Sequence, residues 1–290
     1  MKTSLDHLPE GKKQEILAIA EIIKEAFNPE KIILFGSYAT DKWVEERYVE
    51  NNIVYEYLSD YDFLVVTSER PLAEYILTNK VEQLCRGFRT PVNSIIHDIK
   101  YVNDGLAYGQ YFFVDILREG VLLYDTGKSE FVEPKELTPA EKRAVAQEHY
   151  DEWFQSGARF LRFAEFGFRD ALSRNEKLND TAFQLHQAAE RFYATILLVF
   201  TGYKPKLHHI KTLRKLSKPL SRSLYRLFCN PPDDKQESRI FDLLVRGYVE
   251  ARYKRDYFIT EEEAKTLIER IRQMEDIVQT ASLKKIESYR

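Results

Sequence analysis

Hydrophobic residues in the first 125 positions form short runs separated by polar turns. The predicted strands are 32–35, 63–66, 91–98 and 121–124, and the predicted helices are 11–27, 71–84 and 108–118. Two further runs, 43–49 and 53–58, flank the turn-prone pair Asn51-Asn52 and predict a hairpin. Because strands alternate with helices, this part of the chain is predicted to be an α/β domain.

A different pattern begins at Thr138, where apolar residues recur at helical spacing as far as Arg290 and no strand is predicted. Thr138-Pro139-Ala140-Glu141 combines a capping threonine, a proline at the first helical position and a glutamate that completes a capping box. Gly202 is expected to end the second helix, and a later helix is predicted over 237–257. We therefore predict three segments: a domain at 1–127, a polar linker at 128–137, and an all-α bundle at 138–290.

The composition limits the classes of function. A chain of 290 residues with 44% hydrophobic and 31% charged residues is ordinary for a globular protein, and a net charge of −3 argues against general coating of nucleic acid. Cys85 and Cys229 lie far apart without metal-binding spacing, so both are expected to be reduced thiols. The chain has no apolar run of about 18 residues and no signal-peptide pattern, so we expect a cytoplasmic protein without a membrane partner.

Two acids mark the start of the second sheet strand, in the run Ser59-Asp60-Tyr61-Asp62. Alternation along a strand places Asp60 and Asp62 on one face, about 7 Å apart, where they repel each other unless a cation lies between them. Mg²⁺ suits such a pair because it takes one or two carboxylates and fills its other positions with water and phosphate oxygens. Gly36 and Ser37, after the first strand, can bring backbone N–H groups close to a phosphate. Together these residues predict a site for a nucleoside triphosphate.

This arrangement resembles the minimal nucleotidyltransferases of the DNA polymerase beta superfamily, whose signature is hG-G/S-S followed by D-x-D on the next strand. Leu34-Phe35-Gly36-Ser37 and Ser59-Asp60-Tyr61-Asp62 carry the likeness. The resemblance implies a mixed sheet, Mg²⁺ at Asp60 and Asp62, and triphosphate at Gly36 and Ser37. The 22 residues from Tyr38 to Ser59 are about twice the expected separation. The predicted hairpin in this insertion either shapes an acceptor pocket or decorates the sheet edge.

The superfamily often takes a third acid from a neighbouring strand as metal ligand and base. Asp98, near the end of the predicted strand 91–98, is the best candidate for that role in this sequence. The alternative is that Asp98 caps the turn that follows the strand. Sequence reasoning leaves the two interpretations equally balanced.

The helical half carries a second resemblance. Its residues are the run from Phe183 to Arg191, Gly202, Lys204-Pro205, His208-His209-Ile210 and the run from Tyr248 to Tyr253. These motifs resemble the HEPN domain, a helical bundle that often accompanies a minimal nucleotidyltransferase. His208 and His209 are interpreted as loop or capping residues, because an adjacent pair lacks the spacing of zinc ligands.

Many HEPN domains are metal-independent ribonucleases with an R-x4-6-H motif, and no histidine follows Arg252 in this chain. Cleavage by that chemistry is therefore not expected. On a helix Tyr248, Arg252 and Arg255 share one face and are candidate contacts for phosphate or RNA. The alternative interpretation is that Arg252 and Tyr253 hold neighbouring helices or a dimer partner.

The two resemblances together imply a Mg²⁺-dependent nucleotidyltransferase that moves a nucleoside monophosphate from a triphosphate, with ATP the expected donor, to a hydroxyl of a protein, an RNA or a small molecule. Its HEPN domain would bind the acceptor or form a homodimer. A second hypothesis is a non-catalytic nucleotide- or RNA-binding module of the toxin–antitoxin type. A third is a HEPN ribonuclease with unrecognised active groups.

Overall fold

The computed structural model describes residues 1–50, 53–69, 74–205, 208–229, 234–254 and 256–290. It divides into two units, Met1–Leu137 and Thr138–Arg290, which are called unit 1 and unit 2 below. Residues 128–137, expected to form a linker, run along unit 1. The Asn103 amide donates to the carbonyl of Glu130 at 3.1 Å, and the backbone N–H of Lys135 donates to the carbonyl of Leu106 at 2.9 Å.

Unit 1 is built around a mixed sheet. Its elements are α1 (Glu10–Phe27), β1 (Lys31–Phe35), β2 (Glu45–Glu50), β3 (Ile53–Leu58), β4 (Tyr61–Thr67), α2 (Glu74–Leu84), β5 (Val92–Asp98), α3 (Ile99–Ala107), α4 (Tyr111–Glu119) and β6 (Val121–Asp125). The four-stranded sheet has the order β5-β4-β1-β6. β1 is antiparallel to β4 and β6, whereas β4 and β5 are parallel and are connected through α2.

The core of unit 1 lies between α1 and the sheet. Ile16, Ile19 and Ile23 share one face of α1 and are fully buried, as the spacing of three and four residues requires. Ile32 and Leu34 of β1 belong to the same cluster. This packing fixes the two central strands, β1 and β4, and β4 carries Asp62.

The predicted hairpin is present as β2 and β3, which pair antiparallel with Glu45 opposite Leu58. Two hydrogen bonds close its base: the Val44 N–H donates to Ser59 Oγ, and the Ser59 N–H donates to the Val44 carbonyl, each at 2.9 Å. The predicted turn at Asn51-Asn52 and the predicted helix start at Pro71 lie outside the described residues.

Unit 2 is helical throughout its described residues. Its elements are α5 (Pro139–His149), a π-helix (Tyr150–Phe154), α6 (Gln155–Arg174), α7 (Asn179–Thr201), α8 (Ile210–Ser217), α9 (Arg222–Arg226), α10 (Lys235–Arg246), α11 (Glu250–Tyr253) and α12 (Glu261–Ser288). The capping box of Thr138 and Glu141 starts α5, and Gly202 ends α7 in a left-handed conformation, as predicted. The helix predicted over 237–257 is instead two helices, α10 and α11.

The most buried helix of unit 2 is α7, which packs against α6, α8 and α12. At Gly157 of α6 an added Cβ would lie 2.8 Å from the ring of Phe192, so the absence of a side chain lets the two helices approach closely. Glu190 lies on the buried side of this helix with 2% of its surface exposed. A buried carboxylate of this kind requires a polar partner.

Candidate functional site

The acidic pair of unit 1 lies where β1, β4 and β5 run side by side. Asp62 pairs with Phe35 of β1 on one side and with Asn93 of β5 on the other. Asp60 precedes β4 and is 8% exposed, and Asp62 is half-buried. The two carboxylates are therefore held by three neighbouring strands.

Asn93 joins the two carboxylates. Its side-chain amide donates to Asp60 Oδ2 at 3.0 Å and to Asp62 Oδ1 at 3.1 Å. Two acids and one amide thus meet at a single point. No group of three or more histidine, cysteine, aspartate or glutamate side chains suited to a metal occurs among the residues that the structure describes.

Gly36 completes this end of the sheet. Its φ is +76°, and an added Cβ would lie 2.5 Å from Asp62 Oδ2, so both the backbone conformation and the contact require glycine. Ser37 begins a turn in which the Thr40 N–H donates to the Gly36 carbonyl at 3.2 Å. The structure therefore brings Gly36, Ser37, Asp60 and Asp62 together as the sequence predicted. A turn, rather than a helix, follows Ser37.

Asp98 does not belong to this site. It pairs with Thr67 at the far end of β4, five residues beyond the pair of Asp62 and Asn93, which corresponds to about 17 Å along the strands. Its side chain accepts a hydrogen bond from the Tyr101 N–H at 2.9 Å and caps α3. The assignment of Asp98 as third metal ligand and base was wrong, because the parallel register separates it from the other acids. The alternative interpretation, a cap, is confirmed.

Sequence reasoning missed Asn93. The resemblance implied a third acid, whereas the residue opposite Asp62 is the amide Asn93. Only the register of β4 against β5 identifies this position, since the strand pattern alone does not state which residue of one strand lies beside which residue of the other.

The fit of Mg²⁺ to this site follows from its donor set. Carboxylate oxygens and an amide oxygen are hard donors of the kind that Mg²⁺ accepts in proteins. Rotation of the Asn93 side chain exchanges its NH₂ and its oxygen, so the same residue can donate to the acids or face a cation. The residues present therefore fit the ion.

In unit 2 the predicted contact residues Tyr248 and Arg252 lie against each other. Arg252 Nε donates to the Tyr248 carbonyl at 2.7 Å, and its guanidinium lies 4.8 Å from the centre of the Tyr248 ring. Arg252 is exposed to solvent. Arg255, the third predicted contact, lies outside the described residues.

A histidine that the sequence assigned to a loop or cap also belongs to this region. His208 Nδ1 lies 3.0 and 3.1 Å from the two oxygens of the buried Glu190 carboxylate, and the His208 ring stacks on Tyr248 with 5.4 Å between centres. His209 does lie at a helix start, where its Nδ1 is 3.0 Å from Thr212 Oγ1. The available signal was Glu190, an acid between the apolar residues Ala189 and Phe192 of α7.

The comparison with protein families agrees with the helical architecture of unit 2. Residues 150–281 match the HEPN domain, so the chain carries a HEPN domain at these positions. The resemblance predicted for the C-terminal half is confirmed over this range, and the match does not extend into unit 1. Comparison with curated proteins gave no match. Within the described part of the chain, no helix has the length and apolar character needed to cross a membrane.

Proposed function

We propose that unit 1 binds a nucleoside triphosphate with Mg²⁺ and transfers its nucleoside monophosphate to a hydroxyl acceptor, with release of pyrophosphate. One observation carries the proposal: the carboxylates of Asp60 and Asp62, two residues apart, share the amide of Asn93, and Asp62 lies against a glycine that has no room for a side chain. In this proposal Asp60 and Asp62 hold the ion, and the Gly36-Ser37 turn receives the triphosphate. ATP is the proposed donor.

The chemistry follows from charge. Bound Mg²⁺ would neutralise the two acids and the phosphate oxygens and so stabilise the charge that develops during transfer. The Gly36 backbone is exposed beside Asp62, which leaves room for a phosphate against the main chain. Asp60 and Asp62 orient the ion, and the turn at Ser37 orients the triphosphate. Positioning of the reacting groups is the main contribution that a protein makes to nucleotidyl transfer.

A second candidate is nucleotide binding without transfer, and Asn93 favours it. A third carboxylate would add negative charge for a second ion and could accept a proton from the attacking hydroxyl, whereas a neutral amide supplies neither. In this candidate the N-terminal unit binds the nucleotide and does not act on it. The HEPN domain is then the interaction unit of a toxin–antitoxin type module and binds RNA or a second copy of the chain.

The test is to incubate the purified protein with each labelled triphosphate and Mg²⁺ and to measure pyrophosphate release, self-labelling and nucleotide binding. Asp62→Asn should abolish turnover because it removes one of the two charged ligands. Asp98→Asn is the matched control, since asparagine caps a helix about as well as aspartate and the residue lies outside the site.

The outcomes separate the candidates. Transfer is supported if the wild type releases pyrophosphate, Asp62→Asn does not, and Asp98→Asn still does. Binding of nucleotide without release of pyrophosphate supports the second candidate. The assignment of this site is contradicted if Asp62→Asn still turns over nucleotide. It is also contradicted if the wild type neither binds nor turns over any of the four nucleotides.

A further inference from the structure

The first nine residues of unit 1, called the N-terminal segment below, have no part in the site described so far. Lys2 pairs with the start of β6, because its N–H donates to the Gly120 carbonyl at 2.9 Å and its carbonyl accepts from the Leu122 N–H at 2.8 Å. The segment then leads directly into α1 at Glu10. It is therefore fixed by the sheet at one end and by a helix at the other.

Two side chains of this segment donate to the backbone of residues 36–41, which are called the phosphate turn below. Lys2 Nζ donates to the Ala39 carbonyl at 2.9 Å. His7 Nε2 lies 2.8 Å from the Tyr38 carbonyl, and because a carbonyl only accepts, Nε2 carries the proton. Tyr38 and Ala39 are fully buried, so water does not replace these donors.

The other two carbonyls of the phosphate turn are used within the chain around it. The Gly36 carbonyl accepts from Thr40, both from its N–H at 3.2 Å and from its Oγ1 at 2.9 Å. The Ser37 carbonyl accepts from the Lys42 N–H at 2.9 Å. Four consecutive carbonyls, those of residues 36–39, thus accept hydrogen bonds, and the N-terminal segment supplies the donors for two of them.

The N–H groups of the phosphate turn point the other way. In a helical turn the carbonyls point towards its end and the N–H groups towards its start, which here is Gly36. Within the described ranges, the N–H groups of Ser37, Tyr38 and Ala39 have no protein acceptor. Gly36 borders Asp62, whose Oδ2 would lie 2.5 Å from an added Cβ. The contacts that fix the carbonyls therefore direct the N–H groups towards the end of the turn that borders the acidic pair.

The backbone of the phosphate turn depends on contacts of this kind. Gly36 and Asp41 have φ of +76° and +58°. Positive φ is uncommon for a residue other than glycine, and a strained conformation persists only where the surrounding structure defines it. The hydrogen bonds from Lys2 and His7 are part of that surrounding structure.

We propose that Lys2 and His7 are positioning residues, which hold the phosphate turn in the conformation that binds the triphosphate and act on the ligand only through the turn. This inference rests on the proposed function of unit 1, and it applies to transfer and to binding alone, since both require the nucleotide to bind. A turn that is already ordered costs less free energy to order when the ligand binds. Loss of either donor should therefore weaken binding.

The experiment measures binding to the full chain by calorimetry, with two probes in the presence of Mg²⁺. The probes are ATP and inorganic triphosphate, which lacks a base and a sugar and so reports on the phosphate contacts alone. His7→Leu and Lys2→Met each remove one donor, whereas His7→Gln and Lys2→Arg each keep one. The matched control is Lys24→Met, which removes a lysine whose Nζ lies 2.9 Å from Glu21 within α1.

His7→Leu and Lys2→Met should each weaken the binding of both probes about five- to tenfold, the equivalent of one hydrogen bond. His7→Gln, Lys2→Arg and Lys24→Met should bind within about twofold of the wild type. For transfer, His7→Leu and Lys2→Met should raise the KM for the triphosphate and leave kcat unchanged, because Asp60 and Asp62 are intact.

Amide hydrogen exchange without ligand distinguishes a released turn from a general loss of stability. Exchange in a peptide that covers residues 36–42 should become faster in His7→Leu and Lys2→Met, and exchange in a peptide that covers β5 should not change. Thermal melting checks that each variant is folded. Lys2 is exposed, so Lys2→Met carries the test by itself should His7→Leu not fold.

The proposal is overturned if folded His7→Leu or Lys2→Met binds both probes as the wild type does, and nucleotide binding by unit 1 then still stands. It is also overturned if affinity falls while exchange in residues 36–42 stays the same, or if His7→Gln and Lys2→Arg lose as much affinity as the variants without a donor. If the wild type binds neither probe at millimolar concentration, the proposed function fails and this inference fails with it.

Discussion

The sharpest test of the acidic site is Asn93→Asp, which changes one amide nitrogen into an oxygen with almost no change of shape. In the wild type this nitrogen donates to Asp60 at 3.0 Å and to Asp62 at 3.1 Å. The substitution removes both hydrogen bonds and places a third carboxylate against two others. Without a cation, unit 1 should lose stability.

Two terms set the size of the loss. Two like charges about 4 Å apart repel by about 4 kcal/mol at an effective dielectric constant of about 20. The new carboxyl group can escape this repulsion by binding a proton, which at pH 7 costs about 4 kcal/mol for an ordinary aspartate. Protonation therefore limits the loss, and we expect about 3–5 kcal/mol at pH 7. For a unit of this size that corresponds to a fall in Tm of about 10–20 °C.

The loss should depend on pH and on Mg²⁺. The neighbouring charges raise the pKa of the new carboxyl group in the folded protein, so its destabilising effect grows as pH rises and falls to about 1.5 kcal/mol at pH 5. A cation that binds only the folded state adds about 2.7 kcal/mol at a hundred times its dissociation constant. Mg²⁺ should therefore raise the Tm of Asn93→Asp more than that of the wild type.

The assay is thermal unfolding at pH 5 and pH 7, with and without Mg²⁺. Asn103→Asp is the control, because it adds a carboxylate to the same unit at a side chain that contacts the backbone near Glu130 rather than an acid. It should show no response to Mg²⁺. If Asn93→Asp melts like the wild type at pH 7 and is indifferent to Mg²⁺, the amide does not lie between the two acids and the reasoning fails. A gain of pyrophosphate release in this variant would show that the missing acid limits transfer.

Three further predictions each concern the contribution of one residue to the stability of its unit. Gly36→Ala should cost more stability than Gly127→Ala. Both glycines have positive φ, so alanine costs about 1–2 kcal/mol at either position, but only at Gly36 would the new Cβ press against Asp62. Equal losses in urea denaturation would contradict this contact. Burial lowers the pKa of His186 in the folded protein. As the pH drops below about 6.5, the unfolded chain binds a proton at this residue more readily than the folded protein does, so the free energy of unfolding should fall. Denaturation at pH 7.5 and 5.5 should show a smaller difference in the free energy of unfolding for His186→Gln than for the wild type. Thr260→Ala should remove the capping box of α12 and lower stability by about 1 kcal/mol, and an unchanged urea midpoint would exclude that role.

The sequence alone determined much of the architecture of each unit. Strand positions followed from short apolar runs, and the start of α5 followed from the local capping chemistry of Thr138, because these signals act over a few neighbouring residues. The acidic pair was predictable for the same reason. Asp60 and Asp62 are two apart in the extended chain where β4 begins, and alternation alone places their side chains on one face.

Only the tertiary structure decided which residues from separate elements meet. The parallel register of β4 and β5 put Asn93 beside Asp62 and moved Asp98 to the far end of the sheet. The fold of unit 2 likewise brought His208 to Glu190, 18 positions earlier in the chain. Patterns of hydrophobicity fix what a segment becomes, because they depend on neighbours in sequence. Contacts between segments depend on how whole elements pack, and a local pattern does not contain that information.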